Sequence, residues 1–175
     1  MVEPFQLARL PKIIFGSGTL GSLAGLIRRQ GGEALILTGA RSFVRSPQCG
    51  ELFDKLNKNG LTFHHVTVSG EPSPGTVDEI VARFAGRAIG SVVGIGGGSV
   101  TDTGKAVSAM LKAEGSVKDY LEVVGTKEHP GDKVPYIAVP TTSGTGSEAT
   151  KNAVLSQVGS DGFKRSLRHD NFVPD

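Results

Sequence analysis

An α/β fold, with a mostly parallel sheet covered by helices on both faces, is predicted by three observations. Short apolar, β-branched runs alternate with amphipathic helical stripes, the connections between them are short, and one buried run passes through glycines directly into a helix. At 175 residues the chain suits one domain, and 38% hydrophobic with 21% charged residues is neither a disordered nor a membrane-spanning composition.

The elements follow in order. A short apolar piece, Ile13 to Phe15, comes first, and then Leu20, Leu23, Ala24 and Ile27 recur at the spacing of one helix face. Ala34 to Leu37 reads as a strand. Leu52, Phe53 and Leu56 mark a second helix ending near Gly60, and Phe63 to Val68 reads as a second strand, on which adjacent His64 and His65 must point to opposite faces. The spacing of Thr76 and Glu79 predicts a capping box at the start of a helix carrying Val77, Ile80, Val81 and Phe84. Val92, Val93 and Ile95 form a buried strand entering glycines at 94 to 98. A helix from about Ser99 to Lys112 follows, with Val100, Gly104, Val107 and Leu111 on one side, and Tyr136 to Val139 supplies another buried strand. Residues 151–158 and 163–168 flank Gly-Ser-Asp-Gly, a turn sequence that predicts a C-terminal β-hairpin. The whole is a Rossmann-like arrangement, in which ligands bind beyond the carboxyl ends of the strands.

Charge and composition narrow the function. Nineteen basic and 17 acidic residues are scattered to a net +2, so no polybasic run points to nucleic acid or a membrane surface as a partner. The N-terminal residues Met1 to Gln6 lack a basic segment followed by an apolar run, which predicts a cytoplasmic protein. Cys49 stands alone, so neither an internal disulfide nor a thiolate zinc cluster is available; it reads as a small loop or core residue. Glycine is abundant, at 25 residues, and only a residue without Cβ lets backbone approach a ligand closely at little cost.

Two segments carry chemistry. From Gly94 to Lys105 the chain reads Gly-Ile-Gly-Gly-Gly-Ser-Val-Thr-Asp-Thr-Gly-Lys, a strand running through glycines into a helix. That geometry binds phosphate, because the helix N-terminus offers unpaired N–H donors and about half a positive charge. A Walker A loop does not fit: Ser99 stands where its first glycine belongs, and Ala106 follows the Gly104-Lys105 pair. The dinucleotide fingerprint is only approximated by Gly94, Gly96 and Ser99. From Pro140 to Glu148 the second segment reads Pro-Thr-Thr-Ser-Gly-Thr-Gly-Ser-Glu, dense in hydroxyls suited to ribose and amide groups.

Together these segments resemble the iron-containing alcohol dehydrogenase family, whose members carry Gly-Gly-Gly-Ser-x-x-Asp-x-x-Lys and a later Thr-Thr-x-Gly-Thr-Gly-Ser-Glu. Here they stand at Gly96 to Lys105 and Thr141 to Glu148. Phe15-Gly-Ser-Gly-Thr-Leu20 and Lys164-Arg-Ser-Leu-Arg168 are also similar to the family, so the resemblance runs from about residue 10 to the end. It implies that Gly97, Gly98 and Ser99 hold the pyrophosphate of a nicotinamide dinucleotide, with Gly96 also in the cofactor site, and that Thr141, Thr142 and Thr145 contact adenosine and ribose. Asn152 and Lys164 are expected near the nicotinamide. Asp102 and Lys105, three apart on one helix face, read either as an exposed ion pair or as residues lining the cofactor and substrate cleft.

The resemblance also sets expectations about cofactor, metal and substrate. Members that prefer NAD tend to carry an acid after the first strand, where this chain has Gly39; Arg41 and Ser42 nearby suit a 2′-phosphate, which favours NADP over NAD, while the other reading of Arg41 is a solvated residue at a helix start. The family's metal ligands, an aspartate and three histidines, belong to a helical domain beginning just beyond residue 175. None of His64, His65, His129 and His169 has metal-site spacing. The chain is thus expected to be the NAD(P)-binding domain of an enzyme that moves hydride between the nicotinamide and a small alcohol or aldehyde. A divalent iron or zinc ion in the absent domain would act as Lewis acid, and the enzyme is a candidate homo-oligomer. An exposed apolar face is expected over the carboxyl ends of the strands, where that domain docks. A glycerol-dehydrogenase or dehydroquinate-synthase-like relative, and a stand-alone, non-catalytic nucleotide-binding module, are the alternatives.

Overall fold

A computed structural model describes residues 3–4 and 9–175 of the chain. Met1, Val2, Phe5 and Gln6, four of the six residues read for a leader, lie outside the described residues.

Four parallel strands form the central sheet: β1 (Glu33–Gly39), β2 (Phe63–Val68), β3 (Ile89–Gly96) and β4 (Tyr136–Pro140), in the spatial order β2-β1-β3-β4. Alternation of side chains across β1 sorts the core into two layers. Ala34 and Ile36 join Leu23 and Ile27 of α1 (Leu23–Gln30) and Leu52 and Leu56 of α2 (Pro47–Lys58). Leu35 and Leu37 join Val77 and Ile80 of α3 (Pro74–Phe84) and Val107 and Met110 of α4 (Gly98–Met110). Helices therefore cover both faces, as the alternating pattern predicts. His64 and His65 do face opposite ways: His64 packs on Phe84, and His65 on Phe53. Cys49 is a buried residue of α2.

Two local expectations need correction. The N-cap of α3 is Ser73 rather than Thr76; its hydroxyl accepts the Thr76 N–H at 3.2 Å, and Pro74 follows as the first helical residue. Proline at that position has its φ already set for a helix and no N–H to leave unpaired, so the Ser-Pro pair starts the helix one turn earlier. The second correction concerns α4, which does not bury one side only: every residue from Val100 to Met110 is buried. The sheet covers one side, and the antiparallel ribbon of β5 (Asn152–Gln157) and β6 (Phe163–Arg168) joins the same core layer through Ala153, Leu155 and Leu167. The hairpin is where the turn sequence places it, and the Ser156 N–H ties it to the Pro72 carbonyl at 2.7 Å.

Strand β4 stands at the sheet's edge. At its start, Tyr136 exchanges bonds with Asp175: the Asp175 N–H donates to the Tyr136 carbonyl at 2.9 Å, and the Asp175 carboxylate accepts the Tyr136 N–H at 2.8 Å. Further along, a groove of about 650 Å³ is lined by Ile13, Ile14, Phe15, Ile137 and Ala138 and reaches Pro140 and Thr141. The exposed apolar surface at Ile13 to Phe15 thus flanks β4 and meets its carboxyl end, rather than capping the ends of all the strands. Among the described residues no helix is long and apolar enough to cross a membrane.

Candidate functional site

Strands β1, β3 and β4 end side by side: Thr38 pairs with Ile95, Ile95 with Val139, and Gly96 with Pro140. This register brings Gly39, the glycine segment and the hydroxyl segment to one end of the sheet. The Thr141 N–H donates to the Gly96 carbonyl at 2.9 Å, fixing the second segment beside the first. The walls then approach so closely that side chains on the glycines would fill the space between them. A Cβ on Gly97 would lie 3.2 Å from Thr142 Oγ1, and one on Gly98 would lie 3.2 Å from Thr145 Cγ2. Gly96 is tighter still, with Val100 Cβ 2.7 Å from where its own would stand.

Helix α4 starts at this cleft. The N–H groups of Val100 and Thr101 both bond to the Gly97 carbonyl at 3.0 Å, while Gly98 and Ser99, at the first two helical positions, have no intrahelical acceptor for theirs. Unpaired donors and the positive end of the helix dipole therefore stand at a place where no Cβ intervenes, an arrangement suited to an anion. Gly39 adjoins the same helix start, 3.6 Å separating the position of a Cβ there from Val100 Cγ2, and Arg41 is exposed beyond it.

Asp102 and Lys105 are not an exposed ion pair. Asp102 is 7% exposed and Lys105 fully buried, because α4 is enclosed between the sheet and the ribbon. Lys105 turns to backbone instead: its Nζ donates to the carbonyls of Ser147 at 2.7 Å, Thr150 at 2.6 Å and Asn152 at 2.9 Å. Burial pulls this ammonium down to about 8, against the carboxylates of Asp102 and Glu148, which hold it up. Burial also raises the Asp102 carboxyl, opposed by the Lys105 charge, the Val154 N–H, the Ser147 hydroxyl and the Lys164 charge. Asp102 Oδ1 is buried without a hydrogen-bond partner. Asn152 is half-buried at the start of β5, and Lys164 is exposed across the ribbon from Ser156.

The structure thus gathers Gly96 to Ser99, Thr141, Thr142 and Thr145 around one cleft, with Asp102, Lys105 and Asn152 linked behind it. Three contributors escaped the sequence reading: the Ser147 and Thr150 carbonyls, and Tyr136, whose hydroxyl donates to the Thr101 carbonyl at 2.9 Å beneath α4. A lysine inside an eleven-residue stretch that is otherwise apolar, small or hydroxylic apart from Asp102 was the available signal for the first two. The histidines are engaged elsewhere: His64 with Glu33 at 2.6 Å, His65 with Thr38 at 2.8 Å, and His129 and His169 against Phe172. Among the described residues no group of three or more His, Cys, Asp or Glu side chains is placed to hold a metal ion.

Comparison with known proteins gives the same picture over nearly the whole chain. A family model described as iron-containing alcohol dehydrogenase matches residues 11–175. Long-chain-alcohol dehydrogenase 1 of Geobacillus thermodenitrificans is 32% identical over 161 residues, 91% of this chain and 40% of that protein. A probable NADH-dependent butanol dehydrogenase 1 of Bacillus subtilis is 34% identical over 146 residues, 83% of this chain and 37% of its own. Among solved structures, sulfoacetaldehyde reductase from Bifidobacterium kashiwanohense in complex with NAD+ superposes with a TM-score of 0.84 at 29% identity, covering 98% of this chain and 45% of that one. An archaeal alcohol dehydrogenase from a Red Sea brine pool gives 0.85 at 28% identity, covering 99% and 45%. The chain spans about 40% of the length of the curated relatives it matches. On these matches, and on the two motifs that build the cleft, the chain belongs to the iron-containing alcohol dehydrogenase family.

Proposed function

We propose that this chain is the NAD(P)-binding domain of a metal-dependent alcohol dehydrogenase that transfers hydride between a nicotinamide cofactor and a small alcohol or aldehyde. One observation carries the reading: Gly97 faces Thr142 and Gly98 faces Thr145, 3.2 Å from where each Cβ would stand, at the N-terminus of α4. With no Cβ on these glycines, the backbone donors at the helix start are open to a pyrophosphate lying along it. The N–H groups of Gly98 and Ser99 bind it, with Gly96 and Gly97 leaving the approach open. Thr141, Thr142 and Thr145 offer hydroxyls to ribose and adenosine. Asn152, Lys164 and Asp102 stand toward the nicotinamide end, where Asp102, its carboxyl raised by burial, favours a neutral or hydrogen-bonded partner.

When bound, the dinucleotide supplies or accepts the hydride; the chain's own residues bind it and set its orientation. Gly39 and Arg41 favour a 2′-phosphate, and so NADP over NAD. The names of the relatives support an alcohol or aldehyde as substrate. The described residues bring together no His, Cys, Asp or Glu cluster that fits a metal ion.

Calorimetric titration with NADPH, NADH and ATP tests the proposal, since a chain without tryptophan gives little fluorescence to follow. Dinucleotide binding that weakens by about tenfold or more in Gly98→Phe is expected, as the ring would occupy the pyrophosphate site. Absence of dinucleotide binding, or equal binding by the variant, overturns it.

A further inference from the structure

We infer that Lys105 is a positioning residue whose ammonium ties the segment from Ser147 to Asn152 to α4, and thereby holds the hydroxyl-bearing wall of the cleft against its glycine wall. The second half of this inference rests on the dinucleotide reading; the tie itself does not.

The stoichiometry of the bonds carries the argument. An ammonium has three N–H donors, and Lys105 meets three backbone carbonyls, those of Ser147, Thr150 and Asn152, all within 2.9 Å. Residues 141–151 form neither helix nor strand, so no ladder serves the Ser147 and Thr150 carbonyls. One side chain therefore spans from the end of the hydroxyl segment to the first residue of β5, and Thr142 and Thr145, the residues that face the glycines, lie just upstream of its first anchor. Volume alone does not explain a lysine: a methionine would fill the same space and donate to none of the three carbonyls. Stability does not explain it either. Asp102 on the same helix and Glu148 favour the ammonium and Lys133 opposes it, yet burial outweighs them, so the charge is kept at a cost. All three donors are taken by backbone, leaving none for a ligand, which makes the group a positioning one rather than a catalytic one.

The test combines amide hydrogen exchange with dinucleotide titration on the wild type, Lys105→Met and Lys105→Ala. In Lys105→Met, amides of residues 147–152 should exchange about tenfold faster or more while those of β1 and β3 are unchanged, and dinucleotide affinity should fall by a similar factor. In Lys105→Ala, added propylammonium should restore protection and affinity, whereas propanol, of similar size and uncharged, should not. A variant with wild-type protection at 147–152, or rescue by propanol as complete as by propylammonium, overturns the tie. The wild type supplies a measurement that needs no variant to fold: its Lys105 ammonium protons should exchange with solvent about tenfold more slowly or better than those of exposed Lys164, and equal rates overturn the tie. If the wild type binds no dinucleotide, the cofactor reading fails while these exchange rates still judge Lys105.

Discussion

Tyr136 occupies the space that a side chain on Gly104 would need: a Cβ there would lie 2.8 Å from its ring at Cε2 and 2.9 Å from its hydroxyl oxygen. Helix α4 can therefore settle on β4 only through a glycine at this position, and the Tyr136 hydroxyl is held by the Thr101 carbonyl one turn away. Two effects compete in Gly104→Ala. Alanine favours a helix interior over glycine by about 1 kcal/mol, whereas overpacking a well-packed core costs about 1–3 kcal/mol. The obstruction is a fully buried ring whose hydroxyl is already bonded, so overpacking wins. Urea denaturation should show net destabilisation on the order of 1 kcal/mol. A more stable variant would mean that Tyr136 moves aside freely.

How much of this was legible in the sequence depended on the range of the interaction. The passage from β3 through glycines into α4 follows from neighbours in the chain, and so do the hairpin turn and the opposite facing of His64 and His65. The start of α3 was misplaced because Ser73 and Thr76 both suit a cap, and Pro74 decides between them. All-round burial of α4 was partly visible, since only Asp102 and Lys105 are charged between residues 100 and 110, and a helix apolar on all sides is a buried one. The carbonyl partners of Lys105 were not visible. They lie 42 to 47 residues away, and no side-chain pattern marks a backbone oxygen as an acceptor. The Gly104 contact with Tyr136 is hidden for the same reason, as it depends on which strand the helix crosses.

The proposed preference for NADP makes the end of β1 the place to test cofactor choice. Gly39 has an ordinary backbone, and the nearest atom to a Cβ there, Val100 Cγ2, is at a normal contact distance of 3.6 Å, so an aspartate fits without strain. Its carboxylate would accept a ribose 2′-hydroxyl and repel a 2′-phosphate. In Gly39→Asp the ratio of NADPH to NADH affinity should fall by about tenfold or more, and Arg41→Ala should weaken NADPH binding alone. Titration of each variant with both cofactors checks this. Unchanged ratios would place the 2′ position away from β1.

The buried ammonium of Lys105 should also mark the pH dependence of folding. Its folded value is lowered to about 8, below the ordinary lysine value of 10.5, chiefly by burial. Between those values the unfolded chain binds more protons than the folded one, so this group makes stability rise with pH across that window; below it, both states are charged and the cost of burial is paid in full. Cys49 works in the opposite sense, since burial raises its thiol and the folded state then holds its proton longer. Lys105→Met isolates the lysine, because Cys49 is common to both proteins. Denaturation midpoints compared at about pH 7 and about pH 10 should show wild type gaining on the variant at the higher pH, by at most a few kcal/mol. A difference independent of pH would show that Lys105 keeps an ordinary proton affinity, as it would if water reached the amine in place of the three carbonyls.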